Sequence, residues 1–226
     1  MLLNLLNLFY PKVCAGCETI LLHNEYVICT HCRHEIPLTL HHTFDNKEVK
    51  DKFYGRLDLH FVGALFYFHK KGIVQEMIHK LKYKGHEEIG TAIGLWYGSE
   101  LKDHPIGKDV DVIIPVPLHK NRLKKRGYNQ VTTFGQALAT TLNIPFNPHV
   151  LIRSKYTETQ VWKSLVERSN VTDKGFEAVD DEALHGKHFL LIDDVITTGA
   201  TLEACGKALL KIPGAKLSIV CMAMTQ

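Results

Sequence analysis

Short apolar runs alternate with amphipathic stretches over most of the chain. Runs such as VGALFYF at 62–68 and HFLLI at 188–192 contain no polar alternation, which is typical of parallel strands buried on both faces. Apolar residues recur at helical spacing in the stretches between such runs. The predicted strands are 62–68, 110–114, 188–192 and 217–223, and the predicted helices are 73–81, 89–101, 131–142 and 202–209. This order of elements predicts an α/β fold, a parallel sheet flanked by helices.

The first part of the chain follows a different pattern. Residues 2–9 predict a short amphipathic helix. They lack the cationic start and the small-residue cleavage site of an export signal. Its apolar face would consist of Leu2, Leu5, Leu6 and Phe9. Residues 34–58 are polar and aperiodic, which indicates a linker. We therefore expect residues 1–55 to hold the helix, a cysteine-rich module and the linker, and residues 56–226 to hold the sheet.

Composition and charge narrow the class of protein. The chain has 226 residues, of which 45% are hydrophobic and 23% charged, as in folded globular proteins rather than disordered ones. A net charge of +3 is too small to indicate nucleic-acid binding by itself. No apolar run approaches the roughly 20 residues of a bilayer span, so we expect no membrane insertion and a cytoplasmic location.

Four of the six cysteines form two close pairs, Cys14 with Cys17 and Cys29 with Cys32. Each C-x-x-C turn places two thiolates where they can bind one ion, and two such turns complete the tetrahedral sulfur shell of structural zinc. The alternatives are two disulfides, a redox pair, or a nearby histidine in place of a thiolate. Those histidines are His23, His31 and His34. A shell of four protein ligands leaves no position for substrate, so we predict a small zinc ribbon that stabilises the fold.

Two carboxylates and a threonine–glycine turn follow the predicted strand at 188–192. The sequence of residues 189–201 is FLLIDDVITTGAT. Hydroxyl groups and successive N–H groups at the start of a helix can bind an anion, and Gly199 permits a close approach of the backbone. Asp193 and Asp194 would point to opposite faces if the strand continued, whereas a turn would bring both toward a sugar diol or a metal-bound diphosphate. Alternatively, the threonines only cap the helix and the aspartates are solvated.

The predicted strand at 110–114 is followed by a cationic segment, PVPLHKNRLKKRGYNQ at 115–130. Its cations are Lys120, Arg122, Lys124, Lys125 and Arg126. Ligands of open α/β sheets bind at the carboxyl ends of strands, which places this segment beside the aspartate pair. Its charge could neutralise a diphosphate, with Arg126 binding in bidentate fashion. A solvated face, or contact with a nucleic-acid backbone beside Tyr128, are the alternatives.

These motifs resemble those of a known family. FLLIDDVITTGAT is similar to the phosphoribosyl pyrophosphate signature of type I phosphoribosyltransferases. The whole chain resembles the ComF family of phosphoribosyltransferase-like proteins, which is linked to DNA uptake in naturally competent bacteria and includes GntX-like members. The Pro-x-Pro turn before Arg-Gly-Tyr-Asn-Gln and the Lys-Tyr-x-Gly element at 82–85 belong to this resemblance.

A polar segment from Arg153 to Phe176 also resembles the family, through the residues Arg153, Thr157, Gln160, Arg168, Asn170 and Phe176. In related transferases a loop at this place closes over the substrate and excludes water. A plain surface loop with one helical turn at 161–165 is the alternative interpretation.

The resemblance implies a role for each motif. Asp193 and Asp194 would be the catalytic pair that contacts the ribose hydroxyls. The 5-phosphate loop would consist of Thr197, Thr198, Gly199, Ala200 and Thr201, and the pyrophosphate would be bound by Pro115, Val116, Pro117, Lys125 and Arg126. Mg²⁺ would bridge diphosphate and ribose oxygens, and a nitrogen nucleophile would attack C1 as pyrophosphate departs.

Two functions are compatible with this sequence. The first is a phosphoribosyltransferase that binds phosphoribosyl pyrophosphate with Mg²⁺ and transfers the sugar to an unknown acceptor. The second is a non-catalytic accessory or regulatory module in DNA uptake, with single-stranded DNA or an uptake helicase or accessory protein as partner. No Ser-His-Asp or Cys-His nucleophile is evident, so catalysis would rest on positioning.

Overall fold

A computed structural model describes residues 11–44, 46–153, 175–179 and 181–226. Several sequence-based expectations fall outside this range. They are the amphipathic helix at 2–9, the helical turn at 161–165, and the loop residues Thr157, Gln160, Arg168 and Asn170.

Four parallel strands form the central sheet, in the order β1–β6–β5–β2. They are β1 (Phe61–Tyr67), β2 (Val112–Pro115), β5 (His188–Ile196) and β6 (Lys216–Met224). A separate antiparallel pair consists of β3 (Leu151–Arg153) and β4 (Phe176–Ala178). The predicted strands and their parallel arrangement are confirmed. Strand β5 is longer than predicted, because its ladder with β6 continues to the pair of Ile196 with Met224.

Helices cover both faces of this sheet, as the sequence pattern predicted. In the described residues the α-helices are α1 (Thr30–Glu35), α2 (Lys47–Asp51), α3 (Ile73–Tyr83), α4 (Glu88–Leu101), α5 (Ile106–Asp109), α6 (Lys120–Arg126), α7 (Thr132–Leu142) and α8 (Ala200–Leu209). Apolar residues of α3, α4 and α7 pack in one core cluster with Leu190 and Ile192 of β5. On the other face, α8 packs in a second cluster with Phe189 and Leu191. Alternate residues of β5 therefore face different layers.

The segment 34–58 is not the free linker that its polar sequence indicated. Its backbone pairs with the edge of the sheet, where Tyr67 N donates to Pro37 O at 2.8 Å and Thr39 N donates to Leu65 O at 3.0 Å. Val49 and Phe53 are buried in the core cluster on the α8 side. The prediction of a linker was wrong here, because two isolated apolar residues produce no periodicity. The division of the chain near residue 55 stays a prediction.

The helices that the structure describes are too short or too polar to cross a bilayer.

Candidate functional site

A cavity of about 680 Å³ opens at the carboxyl ends of β2 and β5. Acidic and hydroxyl side chains from the end of β5 and the start of α8 line one side, and cationic side chains from α6 line another. Most of the predicted ligand residues meet here, namely Val116, Pro117, Lys125, Arg126, Asp193, Asp194, Thr197 and Thr201. Parallel strands carry both motifs to the same edge of the sheet, as expected for a ligand site in this class of fold.

Within the part of the chain that the structure describes, the other predicted ligand residues do not line the cavity. Pro115 is buried in the β2–β5 ladder opposite Ile192, and residues 198–200 form the turn and the first residue of α8. The structure also adds lining residues to which the sequence assigned no ligand role, among them Lys82, Tyr83 and Gln130.

The two aspartates project to opposite faces of the sheet. Strand β5 remains extended through both, because it pairs with β6 up to Ile196. Of the two alternatives that the sequence left open, the continuing strand is therefore correct, and the turn that would bring both carboxylates to one side is excluded. Both aspartates still line the cavity.

Asp193 sits in an environment that disfavours its charge. Its carboxylate accepts a hydrogen bond from Asp194 N at 2.8 Å. Burial, followed by the neighbouring Asp194 carboxylate, raises the pKa of Asp193 from 3.8 to about 8. The buried thiols of Cys205 and Cys221 lie close to it, and burial raises their pKa as well. A carboxyl group with such a shift in a cavity is a candidate functional group.

Asp194 is 7% exposed and bonded through both oxygens. Lys82 Nζ of α3 donates to Oδ1 at 2.8 Å, and Gln130 Nε2 donates to Oδ2 at 2.5 Å. Arg126 donates in turn to the Gln130 side-chain oxygen. A buried carboxylate is stable only when paired and hydrogen-bonded, and these contacts meet that need.

The Arg-Gly-Tyr-Asn-Gln segment joins several elements around the cavity. Gly127 has a φ of 83° and ends α6, so that the chain can turn there. The Tyr128 hydroxyl donates to the carbonyl of Leu81 in α3, and Asn129 Nδ2 donates to Val116 O at 3.0 Å. Arg126 also lies over the Tyr83 ring, 5.1 Å from its centre. The sequence predicted a ligand role for Arg126, but the structural role of its neighbours had no signal in a single sequence.

The threonine–glycine turn is supported from the N-terminal part of the chain. Gly199 has a φ of 74°, and a Cβ there would lie 2.8 Å from the Phe53 ring. Arg56 donates to Thr198 O at 3.1 Å and pairs with Glu203 of α8. Thr197 and Thr198 remain exposed in front of the helix N-terminus, where N–H groups without intrahelical partners favour an anion. Sequence reasoning missed Phe53 and Arg56, because they lie far from the motif in the chain.

Helix α6 carries the cationic segment, and none of its residues is buried. Arg122, Lys125 and Arg126 line the cavity, whereas Lys120 and Lys124 are exposed outside this lining. The helix therefore presents charge both to the cavity and to the surrounding solvent.

The four predicted cysteine ligands come together in one cluster. The sulfur atoms of Cys14, Cys17, Cys29 and Cys32 all lie within 4.8 Å of one another, and none of the six cysteines of the chain is in a disulfide. The Cys17 and Cys29 sulfurs are 3.6 Å apart, against about 3.8 Å for two thiolates of a tetrahedral zinc site. Cys14 also accepts backbone N–H bonds from Gly16 and Cys29. Hydrogen bonds with the side chain and the backbone of Thr19 lower the pKa of Cys17 to about 6.

Comparison with known proteins identifies the family of this chain. Residues 132–225, which include β5 and α8, match the phosphoribosyl transferase domain family. Competence protein ComFC of Bacillus subtilis is 30% identical over 201 residues, which are 88% of this chain and 78% of that protein. The chain belongs to the ComF family of phosphoribosyltransferase-like proteins.

Further members of the ComF family match smaller parts of the chain. Competence protein F of Haemophilus influenzae is 39% identical over 103 residues, or 45% of each chain. DNA utilization protein YhgH of Escherichia coli K12 is 28% identical over 152 residues, or 66% of each chain. The matched parts thus span less than two thirds of the length of these two relatives.

Solved structures of phosphoribosyltransferases match this chain with low TM-scores and low sequence identity. The glutamine phosphoribosylpyrophosphate amidotransferase of B. subtilis has a TM-score of 0.42 at 17% identity, covering 62% of this chain and 30% of that one. The purine phosphoribosyltransferase of Pyrococcus horikoshii has a TM-score of 0.37 at 20% identity, covering 60% and 73%. Neither likeness identifies a substrate for this ComF-family chain.

The raised pKa of Asp193 predicts an unusual pH dependence of stability. Between about pH 4 and pH 8 the folded state keeps a proton that the unfolded state has lost, so ionisation of Asp193 makes folding less favourable as the pH rises. Asp193→Asn cannot ionise and retains an oxygen acceptor for Asp194 N. We expect its free energy of unfolding, relative to that of the unsubstituted chain, to increase from about pH 5 to about pH 8. Urea unfolding at both pH values measures this difference.

The matched control is Asp51→Asn, a change of the same kind at an exposed position. Its stability should run parallel to that of the unsubstituted chain over the same pH range. If Asp193→Asn also ran parallel, Asp193 would ionise normally in the folded protein.

Proposed function

We propose that this ComF-family chain binds phosphoribosyl pyrophosphate together with Mg²⁺ and transfers its phosphoribosyl group to an acceptor. The observation that carries the proposal is the cavity at the carboxyl ends of β2 and β5. It combines two carboxylates, a hydroxyl-rich helix N-terminus and a cationic side in one space of about 680 Å³. A sugar with phosphate groups at two ends needs these three features.

The 5-phosphate fits the turn from Thr197 to Thr201. Its N–H groups and hydroxyls offer hydrogen-bond donors, and the dipole of α8 favours negative charge at this end. Gly199 adopts a φ of 74° in this turn, and the Phe53 ring occupies the space where a side chain would lie. Arg56 holds the turn from behind through the Thr198 carbonyl, so that the donors are positioned before the ligand arrives.

The diphosphate fits the other side of the cavity, near Val116 and Pro117 at the exit of β2. Lys125 and Arg126 lie there and can neutralise its charge, with the guanidinium of Arg126 able to bind two oxygens at once. Arg122 and Arg153 add two further cations to the lining.

Catalysis would consist mainly of positioning and electrostatic stabilisation. Asp193 and Asp194 would orient the ribose hydroxyls, and the Asp194 carboxylate would stabilise positive charge that develops at C1 as pyrophosphate leaves. Their carboxylate oxygens are hard ligands of the kind that Mg²⁺ prefers. When bound, Mg²⁺ would supply positive charge to the diphosphate oxygens of the substrate.

Phosphoribosyl pyrophosphate should bind in a Mg²⁺-dependent manner, and Asp194→Asn should weaken binding by about tenfold or more, because a charged acceptor for the ribose is lost. Calorimetric titration with and without Mg²⁺ measures the affinity, and a panel of nucleobases assayed for pyrophosphate release searches for the acceptor.

The control for this titration is Asp51→Asn, which should bind like the unsubstituted chain. Equal affinity in Asp194→Asn, with its thermal unfolding intact, would contradict the assigned role of Asp194. No binding by the unsubstituted chain would contradict the proposed function.

We propose further that the four-cysteine cluster holds structural zinc. Supporting this are the sulfur separations and the backbone N–H bonds to the Cys14 sulfur. The cluster packs on the sheet domain, where Cys14 and Cys32 are fully buried in the core cluster on the α3 side. Zinc would therefore stabilise this part of the core.

The purified chain should contain about one zinc ion, and Cys14→Ser should lose it and melt at a lower temperature, because the tetrahedral shell is broken. Elemental analysis and thermal unfolding measure the two effects. The control is Cys205→Ser, a buried cysteine outside the cluster, which should keep its zinc. Zinc retained in Cys14→Ser would contradict ligation by this residue.

A second candidate function is an accessory role in DNA uptake through contact with single-stranded DNA. It is supported by the fully unburied cationic helix α6 and by the names of relatives, competence protein and DNA utilization protein. An uptake helicase or another accessory protein is the alternative partner in this role.

The test for DNA contact uses the two lysines of α6 that lie outside the cavity lining. Lys120→Glu/Lys124→Glu should abolish salt-dependent binding of a single-stranded oligonucleotide while leaving the cavity residues intact, because phosphate contacts release counterions. Fluorescence anisotropy over a series of salt concentrations measures this. The control, Lys102→Glu/Lys108→Glu, makes the same charge change near the amino end of β2 and should bind normally. Equal binding of the oligonucleotide by both variants would contradict DNA contact through α6.

A further inference from the structure

Lys82 brings a positive charge to the strand end from the α3 side of the cavity. Its Nζ lies 2.8 Å from Asp194 Oδ1, and the two side chains are 22% and 10% exposed. Solvent screens this ion pair less than a surface pair, so the Coulomb attraction is stronger. Lys82 belongs to the Lys-Tyr-x-Gly element, for which the sequence indicated no definite role.

The last turn of α3 is held in place on two sides. The Tyr128 hydroxyl donates to the carbonyl of Leu81, whose side chain is fully buried. On another side, Lys80 pairs with Glu18 of the cysteine module at 3.0 Å. Lys82 therefore extends from a fixed backbone and reaches Asp194 along a defined path.

The contact between Lys82 and Asp194 changes the balance of charge at the end of β5. The Asp194 carboxylate is the negatively charged partner of Lys82 in this ion pair. The Lys82 ammonium balances that charge, and Gln130 donates to the second oxygen without adding any. The cavity that remains is dominated by Arg122, Lys125, Arg126 and Arg153.

We propose that Lys82 is a specificity-determining residue, a tethered counter-ion of Asp194 that competes with free divalent cations for this carboxylate and keeps the cavity positive for an anionic ligand. The proposal rests on the proposed function only in taking that ligand to be a sugar phosphate. A divalent cation must displace the ammonium before it binds Asp194 directly. Without the ammonium, the carboxylate is an uncompensated hard ligand that attracts such cations.

The test measures binding of Mn²⁺ alone to the full chain, read from the relaxation of water protons. Mn²⁺ prefers oxygen ligands, so it does not report on the cysteine cluster. Lys82→Met should bind Mn²⁺ about tenfold more tightly than the unsubstituted chain, which corresponds to only part of the Coulomb energy of the lost pair. Lys82→Arg keeps the charge and should retain the weak Mn²⁺ binding of the unsubstituted chain.

Two further variants locate the effect. Lys84→Met makes the same change in net charge at an exposed position outside the cavity lining and should leave Mn²⁺ binding unchanged. Adding Asp194→Asn to Lys82→Met should abolish the gain, because the carboxylate that binds the cation is gone. Thermal unfolding verifies that each variant folds.

Equal Mn²⁺ affinity in Lys82→Met and the unsubstituted chain would overturn the proposal. So would an equal gain in Lys84→Met, or a gain that survives Asp194→Asn. Phosphoribosyl pyrophosphate should bind less tightly to Lys82→Met than to the unsubstituted chain. If the unsubstituted chain binds none, the proposed function fails, whereas the Mn²⁺ series still decides the role of Lys82.

Discussion

Two adjacent carboxyl groups at the end of a strand buried on both faces impose the main constraint on this structure. Ionised carboxylates are costly to remove from water, so each carboxyl group must either keep its proton or be paired with hydrogen-bond donors. Asp193 holds its proton to a higher pH, whereas Asp194 receives an ammonium and an amide. Helix α3 supplies Lys82 and the turn before α7 supplies Gln130, and both helices pack against the same sheet, so the fold and the site depend on one arrangement.

The N-terminal part of the chain supports this arrangement from both layers. On one face, the cysteine module packs against α3, where a Cβ on Gly16 would lie 2.6 Å from Ile73 and Glu18 pairs with Lys80. On the other face, Phe53 and Arg56 contact the turn before α8. The cysteine module thus contacts the helix that carries Lys82, and the segment after the module contacts the turn proposed to bind the 5-phosphate.

The two candidate functions share one edge of the sheet. Lys125 and Arg126 of α6 line the cavity, and Lys120 and Lys124 of the same helix lie outside it. A sugar phosphate in the cavity and a polyanion along α6 would be attracted by one continuous field of positive charge. This proximity is a physical reason for treating the ligand site and a role in DNA uptake as parts of one surface.

The sequence by itself determined the order of strands and helices, the parallel sheet, the cysteine cluster and the approach of the motifs after β2 and β5. Those features depend on local periodicity and on the rule that parallel strands end at a common edge. Only the tertiary structure decided that β5 continues past Asp194, since that depends on pairing with β6. It also decided the contacts of Lys82, Gln130, Phe53 and Arg56, because each joins elements distant in the chain and a single sequence records no such pairings.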